Sequence, residues 1–269
     1  MNQSGLFDKY LELLGIEATD PTYEFLCKLV KAHLIQVPFE NISKLMFKKQ
    51  GMNYIPTLQT FLDGIAKHNF GGTCYTNNYY FYLLLEHIGF DVKLCGADMK
   101  IPDVHLISIV KTDGNEFIVD GGYAAPFLKP LPRDFYTDFV ISLGDEKYIV
   151  KPKDEKDRTK IEQYSGNKLQ HWYTAKPQPR KIEEFRKVIE DSYTDDSTFM
   201  NEIRIVRFNE NGSVSLRNFM LTETTGASVQ TVKVNRDELP AVAQEKFGMP
   251  ESLVKEALDS VKEIKDIYD

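Results

Sequence analysis

With 269 residues, 42% of them hydrophobic, the chain is long enough to bury a substantial core as one large domain or two to three smaller units. Its formal charge of -7, from 40 acidic and 33 basic side chains, offers no basic footprint for a nucleic-acid backbone and opposes an anionic membrane. No run approaches the roughly 20 apolar residues of a membrane span, and Met-Asn-Gln-Ser-Gly does not open a basic-then-apolar leader, so the expectation is a cytoplasmic protein.

The first ninety residues read as helices. Phe7, Tyr10, Leu11 and Leu14 recur at helical spacing and stop at Gly15. Asp20-Pro21 reads as a cap and first-turn pair for a second helix, with Tyr23, Leu26, Cys27, Val30 and Leu34 on its buried face until Pro38. A third helix, faced by Leu58, Phe61, Leu62 and Ile65, runs into Gly71-Gly72. A fourth begins near Cys74 and continues through Asn78, Phe81, Tyr82 and Leu85 toward Gly89.

From about position 91 the pattern changes to short strands between turn signals: VHLISIV, EFIVD, FVISL and KYIVK. Lys151 to Lys160 is a charge run that reads as an exposed loop. EIRIVRF and SVSLRNFML then form a hairpin about Asn209 to Gly212, and ASVQTVKV follows. The last stretch, DELPAVAQEKFGMPESLVKEALDSVKEI, reads as two short helices broken near Gly248-Met249-Pro250.

Cysteines 27, 74 and 95 are odd in number and show neither the paired spacing of a zinc site nor the density of a disulfide framework, so free thiols and no metal are expected. Cys27 falls on an apolar helix face and reads as core. Cys74 differs: it follows two glycines and a threonine at a helix start. A helix N-terminus favours a thiolate, the glycines let a substrate approach the backbone, and first-turn amides can stabilise an oxyanion.

The base that such a thiol needs comes from the strands. Asp113-Gly114 between VHLISIV and EFIVD is a hairpin signal. Opposed residues then have position numbers summing to 227, which sets His105 opposite position 122 and leaves Asp120 its diagonal neighbour on the same face, within reach of a carboxylate–imidazole hydrogen bond. Of the other histidines, His33 and His68 sit on helices with no carboxylate in register and His87 sits in a last turn. The candidate catalytic set is Cys74, His105 and Asp120.

With these residues in place the chain resembles the arylamine N-acetyltransferases. The matching elements are Gly71, Gly72, Cys74 and Asn78, Pro38-Phe39-Glu40-Asn41, His105, Val119-Asp120-Gly121-Gly122-Tyr123, and the stretch SYTDDSTFMNEIRIVRF; together they span most of the chain. The resemblance implies an α+β fold on a cysteine-protease/transglutaminase-like core. Its parts would be a helical bundle carrying the cysteine over residues 1–90, an antiparallel β-barrel carrying histidine and aspartate over 91–195, and an α/β lid over 196–269. It further implies ping-pong acetyl transfer from acetyl-CoA, as cosubstrate, to an arylamine, arylhydrazine or N-hydroxyarylamine, in the manner of xenobiotic metabolism. Phe39 and Tyr123 would lie near the acceptor, and the protein would be a monomer or weak homodimer with no nucleic-acid or membrane partner.

The sequence departs from that family in three places. The arginine before the paired glycines is Phe70 here, so the charge it would bring to Glu40 is missing, and Glu40 must find another partner or be solvated. Thr76 stands where the family has an acidic residue or glutamine, and Gly122-Tyr123-Ala124 replaces Gly-Phe-Gly. No phosphate-cradling motif identifies the CoA-binding residues. A Cys-His-Asp set names neither donor nor acceptor, so an amide synthase or hydrolase on the same scaffold, and a non-catalytic binding protein, stand as alternatives.

Overall fold

The computed structural model describes residues 3–261. Five helices come from the first third: α1 (Gln3–Leu14), α2 (Tyr23–Gln36), then after the two-residue strand β1 (Phe39–Glu40) α3 (Ile42–Lys49), α4 (Leu58–His68) and α5 (Cys74–Ile88). Strands β2 (Asp91–Asp98), β3 (His105–Thr112), β4 (Asn115–Val119), β5 (Leu131–Pro132), β6 (Phe139–Leu143), β7 (Glu146–Val150), β8 (Thr159–Ser165) and β9 (Lys168–Pro179) follow. A 3₁₀ turn (Ile182–Phe185), α6 (Arg186–Asp191) and α7 (Thr198–Asn201) lead into β10 (Arg204–Asn209), β11 (Gly212–Arg217), β12 (Met220–Thr225) and β13 (Ser228–Lys233). The described chain closes with α8 (Leu239–Phe247) and α9 (Glu251–Ser260).

The fold is α+β. Eight antiparallel strands in the order β5-β4-β3-β2-β9-β8-β7-β6 curl into a nearly closed barrel, with Ile107, Ile109, Ile118, Tyr148, Ile161 and Tyr173 in its core. A second antiparallel sheet, β1-β10-β11-β12-β13, packs against α3, α8 and α9 through Ile205, Leu216, Leu239, Phe247 and Val254. The N-terminal helices bury Tyr10, Leu26, Leu29, Leu62 and Leu84 among themselves and meet the barrel through Val110 and Val119. Among the described residues no helix is long and apolar enough to cross a membrane.

Several local readings change. The cap of α2 is Thr22, whose side chain accepts from Phe25 N at 3.2 Å, because Pro21 lies outside the helix and Thr22 has the extended backbone a cap requires. The helix buries Phe25, Leu26, Leu29, Val30, His33 and Leu34, which turns Cys27 to the rim of that face, where it is half-buried. The segment SVSLRNFML is not one strand: Asn218, at a φ of 51°, turns the chain between β11 and β12. The helix α3 and the strands β2, β8 and β9 add to the elements predicted from sequence. The polar strands β8 and β9 hide in the charged stretch beyond Lys151, where Lys160 and Glu162 pair along the strand at 2.6 Å. The end of the last predicted helix lies outside the described residues.

Candidate active site

Cys74 is the first residue of α5, and Thr73 before it has extended backbone without capping the helix through its side chain. The carbonyl of Thr73 takes the amides of Thr76 and Asn77, each at 3.1 Å. The amides of Cys74 and Tyr75 are among the orphan donors that every helix start leaves. The paired glycines before it lie against β1: Glu40 N donates to Gly72 O at 3.1 Å, and a Cβ on Gly71 would fall 2.0 Å from Pro38 O. Only a glycine lets these two backbones touch.

The β3–β4 hairpin has the register expected, with Ser108 opposite Val119 and Ile109 opposite Ile118, and Asp113 and Gly114 take the two positive-φ turn positions. At its open end His105 Nε2 lies 2.8 Å from Asp120 Oδ2, both side chains buried. Asn78, one helical turn beyond Cys74, ties the two elements together. Its Nδ2 donates to Asp120 Oδ1 (2.9 Å) and Leu106 O (2.6 Å), and its Oδ1 accepts from Gly121 N (2.7 Å). Gly122 N also donates to Asp120 Oδ1, at 3.0 Å. The other ring nitrogen, His105 Nδ1, is buried without a hydrogen-bond partner among the described residues, and the Cys74 sulfur lies 3.9 Å from the carbonyl oxygen of Val104, the residue before His105.

These contacts set the electrostatics. Burial alone pushes the His105 imidazole down, but the Asp120 charge and hydrogen bond, joined by Cys74, outweigh it and raise the pKa above the ordinary histidine value. Burial alone would raise Asp120; the imidazole and the hydrogen bonds from Asn78 and Gly122 hold it below the usual carboxylate range. An imidazole held by a carboxylate, with its second nitrogen unpaired, is equipped to exchange a proton with a nearby thiol.

Of the residues expected near an acceptor, Tyr123 meets the His105 ring edge-on at 5.7 Å and donates to or accepts from His171 Nδ1 at 2.7 Å. Phe39 is buried 5.5 Å from the Phe199 ring and lines a narrow apolar crevice with Leu34, Val37, Ala124, Ala125 and Phe208. Tyr173, with its ring 5.0 Å from His105 and its hydroxyl buried without a hydrogen-bond partner among the described residues, was not singled out from sequence. It lies on β9, whose polar pattern hides its place in the barrel. His33 stacks on Phe81 at 4.3 Å, bonds Tyr10 Oη at 2.9 Å and lies against Gly121, the residue after Asp120, and burial drives its pKa down to about 3. Cys95 is fully buried, and burial pushes its thiol up to about 12.

Phe70 leaves Glu40 without the cation the resemblance would supply, and the structure shows what replaces it. Glu40 is fully buried and accepts from Ser43 N at 2.8 Å, Ser43 Oγ and Gly71 N at 3.2 Å. Burial raises its pKa above the carboxylate norm, against the lowering by these hydrogen bonds.

Comparison with solved structures places the fold among the arylamine N-acetyltransferases. The Nocardia farcinica enzyme superimposes with a TM-score of 0.80 at 23% identity, over 95% of each chain. The Mycobacterium marinum enzyme in complex with CoA gives 0.79 at 20% identity, over 95% of this chain and 99% of that one. Residues 22–254 match the family model described as N-acetyltransferase, and the chain belongs to that family. Curated relatives include proansamycin X synthase of Amycolatopsis mediterranei, 29% identical over 46% of this chain and 51% of that protein. Arylamine N-acetyltransferase 2 of Macaca mulatta is 27% identical over 61% and 63% respectively. The match thus spans about half to under two thirds of the length of these relatives.

Proposed function

We propose that the protein transfers an acetyl group from acetyl-CoA to an aromatic amine, hydrazine or hydroxylamine through an acetyl-cysteine. The observation that carries this reading is the buried His105–Asp120 pair, tied through Asn78 to the helix that begins at Cys74, supported by membership of the N-acetyltransferase family. The division into a helical part to about 90, a barrel part to about 195 and a lid is adopted with it.

The chemistry follows from the contacts. His105 takes the Cys74 proton on Nδ1 while Asp120 holds the ring through Nε2. The sulfur adds to the thioester carbonyl, and the amides of Cys74 and Tyr75 at the helix start are suited to the oxyanion. Collapse expels the CoA thiolate, which takes the proton from His105, and leaves acetyl-Cys74. An acceptor amine, already neutral at pH 7, then adds to the acetyl carbon; its proton passes to His105 Nδ1 and the Cys74 sulfur leaves. Tyr123 and Phe39 provide aromatic surface for the acceptor.

A second reading has a specific support: a relative named a synthase matches the same chain. An amide-forming synthase on this triad would use the same acyl-cysteine and a different donor and acceptor. Incubation with acetyl-CoA separates the two by mass spectrometry. One acetyl group gained on Cys74, discharged by an aniline, and lost in Cys74→Ser but not in Cys27→Ser, supports acetyl transfer. No acetylation of a folded protein whose thiol alkylates normally refutes it.

A further inference from the structure

One buried histidine takes no part in the chemistry, yet it stands behind the loop that carries Asp120. His33, near the end of α2, is fully buried and touches three other parts of the chain. Its ring stacks on Phe81 of α5, with the planes 8° apart and the centroids 4.3 Å apart. Nδ1 is bonded to the hydroxyl of Tyr10, on α1, at 2.9 Å. The other edge of the ring presses on Gly121: a Cβ there would fall 2.5 Å from His33 Cδ2 and 2.6 Å from Nε2. The φ of Gly121 is not positive, so the ring rather than the backbone conformation excludes a side chain at that position.

The edge nitrogen, Nε2, is buried without a hydrogen-bond partner among the described residues. An unpaired polar atom in the interior costs free energy that an apolar ring avoids. What the imidazole offers in return is a small ring whose rotation is fixed, because Tyr10 holds it through Nδ1. Phenylalanine is a larger ring and gives Tyr10 nothing to hold. Burial lowers the pKa to about 3, so at neutral pH the ring brings shape and an anchored nitrogen but no charge.

These contacts bear on the catalytic pair. Gly121 directly follows Asp120, and its amide donates to Asn78 Oδ1 at 2.7 Å while Asn78 Nδ2 donates to Asp120 Oδ1 at 2.9 Å. Phe81 is three residues beyond Asn78 on α5, a neighbour on the helix surface. The His33 ring therefore touches α5 with its face and Gly121 with its edge, and the Asn78–Asp120–Gly121 hydrogen bonds close between the same two elements. We propose that His33 is a positioning residue for Asp120, a fixed wedge that sets the distance of the Asp120–Gly121 loop from α5 and so holds the carboxylate on His105. The proposal rests on the reading of His105 and Asp120 as the catalytic base and its orienting carboxylate.

The test uses four variants of the full chain. Gly121→Ala drives a methyl into the ring, His33→Val removes the ring edge and both nitrogens, Gly121→Ala/His33→Val gives the methyl room, and Tyr10→Phe removes only the bond that fixes the ring. Each is read by thermal melts, by the NMR resonance of the His105 imidazole proton shared with Asp120, and by kcat for acetyl transfer from acetyl-CoA to an aniline. Gly121→Ala is expected to broaden the resonance and to lower kcat by about 10²-fold. The double variant is expected to sharpen the resonance again and to recover about tenfold in kcat, the non-additivity of two groups in contact. Melting temperatures that fall while the resonance and kcat keep their wild-type values mean packing alone and overturn the proposal, as do losses that simply add in the double variant. If His33→Val does not fold, Gly121→Ala and Tyr10→Phe decide, and a resonance unchanged in both overturns it. The resonance needs no substrate, so a wild type that transfers no acetyl group fails on kcat alone and leaves the positioning test readable.

Discussion

Gly122 lies against Cys74 so tightly that a Cβ on it would sit 2.7 Å from Cys74 Cα and 2.9 Å from Asn78 Nδ2. The loop that carries Asp120 and the helix that carries the sulfur therefore share one contact, and the side chain missing at position 122 is what lets them close.

Gly122→Ala is expected to force α5 and the hairpin apart, costing about 1–3 kcal/mol of stability and about 10²-fold in turnover, since a displacement near 1 Å at reacting groups has that effect. Gly114→Asn is the control: nothing lies within 4 Å of a Cβ there, and asparagine tolerates its positive φ. Steady-state kinetics and thermal melts of both variants check this, and equal losses would remove the argument.

Asp120→Asn leaves the shape of the site but takes away the charge that raises His105. Turnover is expected to fall by about 10²–10⁴, and stability by about 3–5 kcal/mol near pH 5–6. The pH dependence has two limbs. Asp120 is depressed in the folded state, so its contribution is present above the ordinary value of ~3.9 and is lost as pH falls through its folded value. His105 is raised, so its contribution is full below ~6.5 and is lost as pH rises through its folded value. Urea unfolding of wild type and variant across pH 3–10 should show the gap widest in the middle; a gap independent of pH would contradict the assigned shifts.

Glu40 titrates with the opposite sign. Its folded pKa is raised, so the folded state binds the proton more tightly and stability falls as pH climbs from ~4.3 through the folded value. Glu40→Gln keeps an acceptor for Ser43 N but turns an NH₂ toward another donor, a loss of about 1–3 kcal/mol at pH 4. That loss is expected to shrink toward neutral pH, where wild type carries the cost of a buried charge. Denaturant midpoints at pH 4 and 7 measure it, and a loss that grows with pH would show that Glu40 has a cationic partner after all.

Much of the site was legible because its parts are local. Glycine pair, threonine and apolar run mark the start of α5 at Cys74, and Asp113-Gly114 fixes a two-residue turn whose register makes His105 and Asp120 neighbours. Other local signals misled. Asp20-Pro21 has the composition of a cap, yet Thr22 has the geometry, and α3 is too short and too rich in lysine to announce itself.

Turn chemistry and periodicity by themselves determined four of the five N-terminal helices and the register of the β3–β4 hairpin, because each depends on hydrogen bonds closed within a few residues. The tertiary structure alone decided that β2 pairs with β9 some eighty positions later to curl the barrel, and that β1 leaves the helices to edge the second sheet. It alone brought the loop after Asp120 against the start of α5 and buried Glu40 without an ion-pair partner within reach among the described residues. Such outcomes rest on loop closure over long stretches and on the packing of surfaces that meet only when the whole chain has folded, and no short window of sequence carries them.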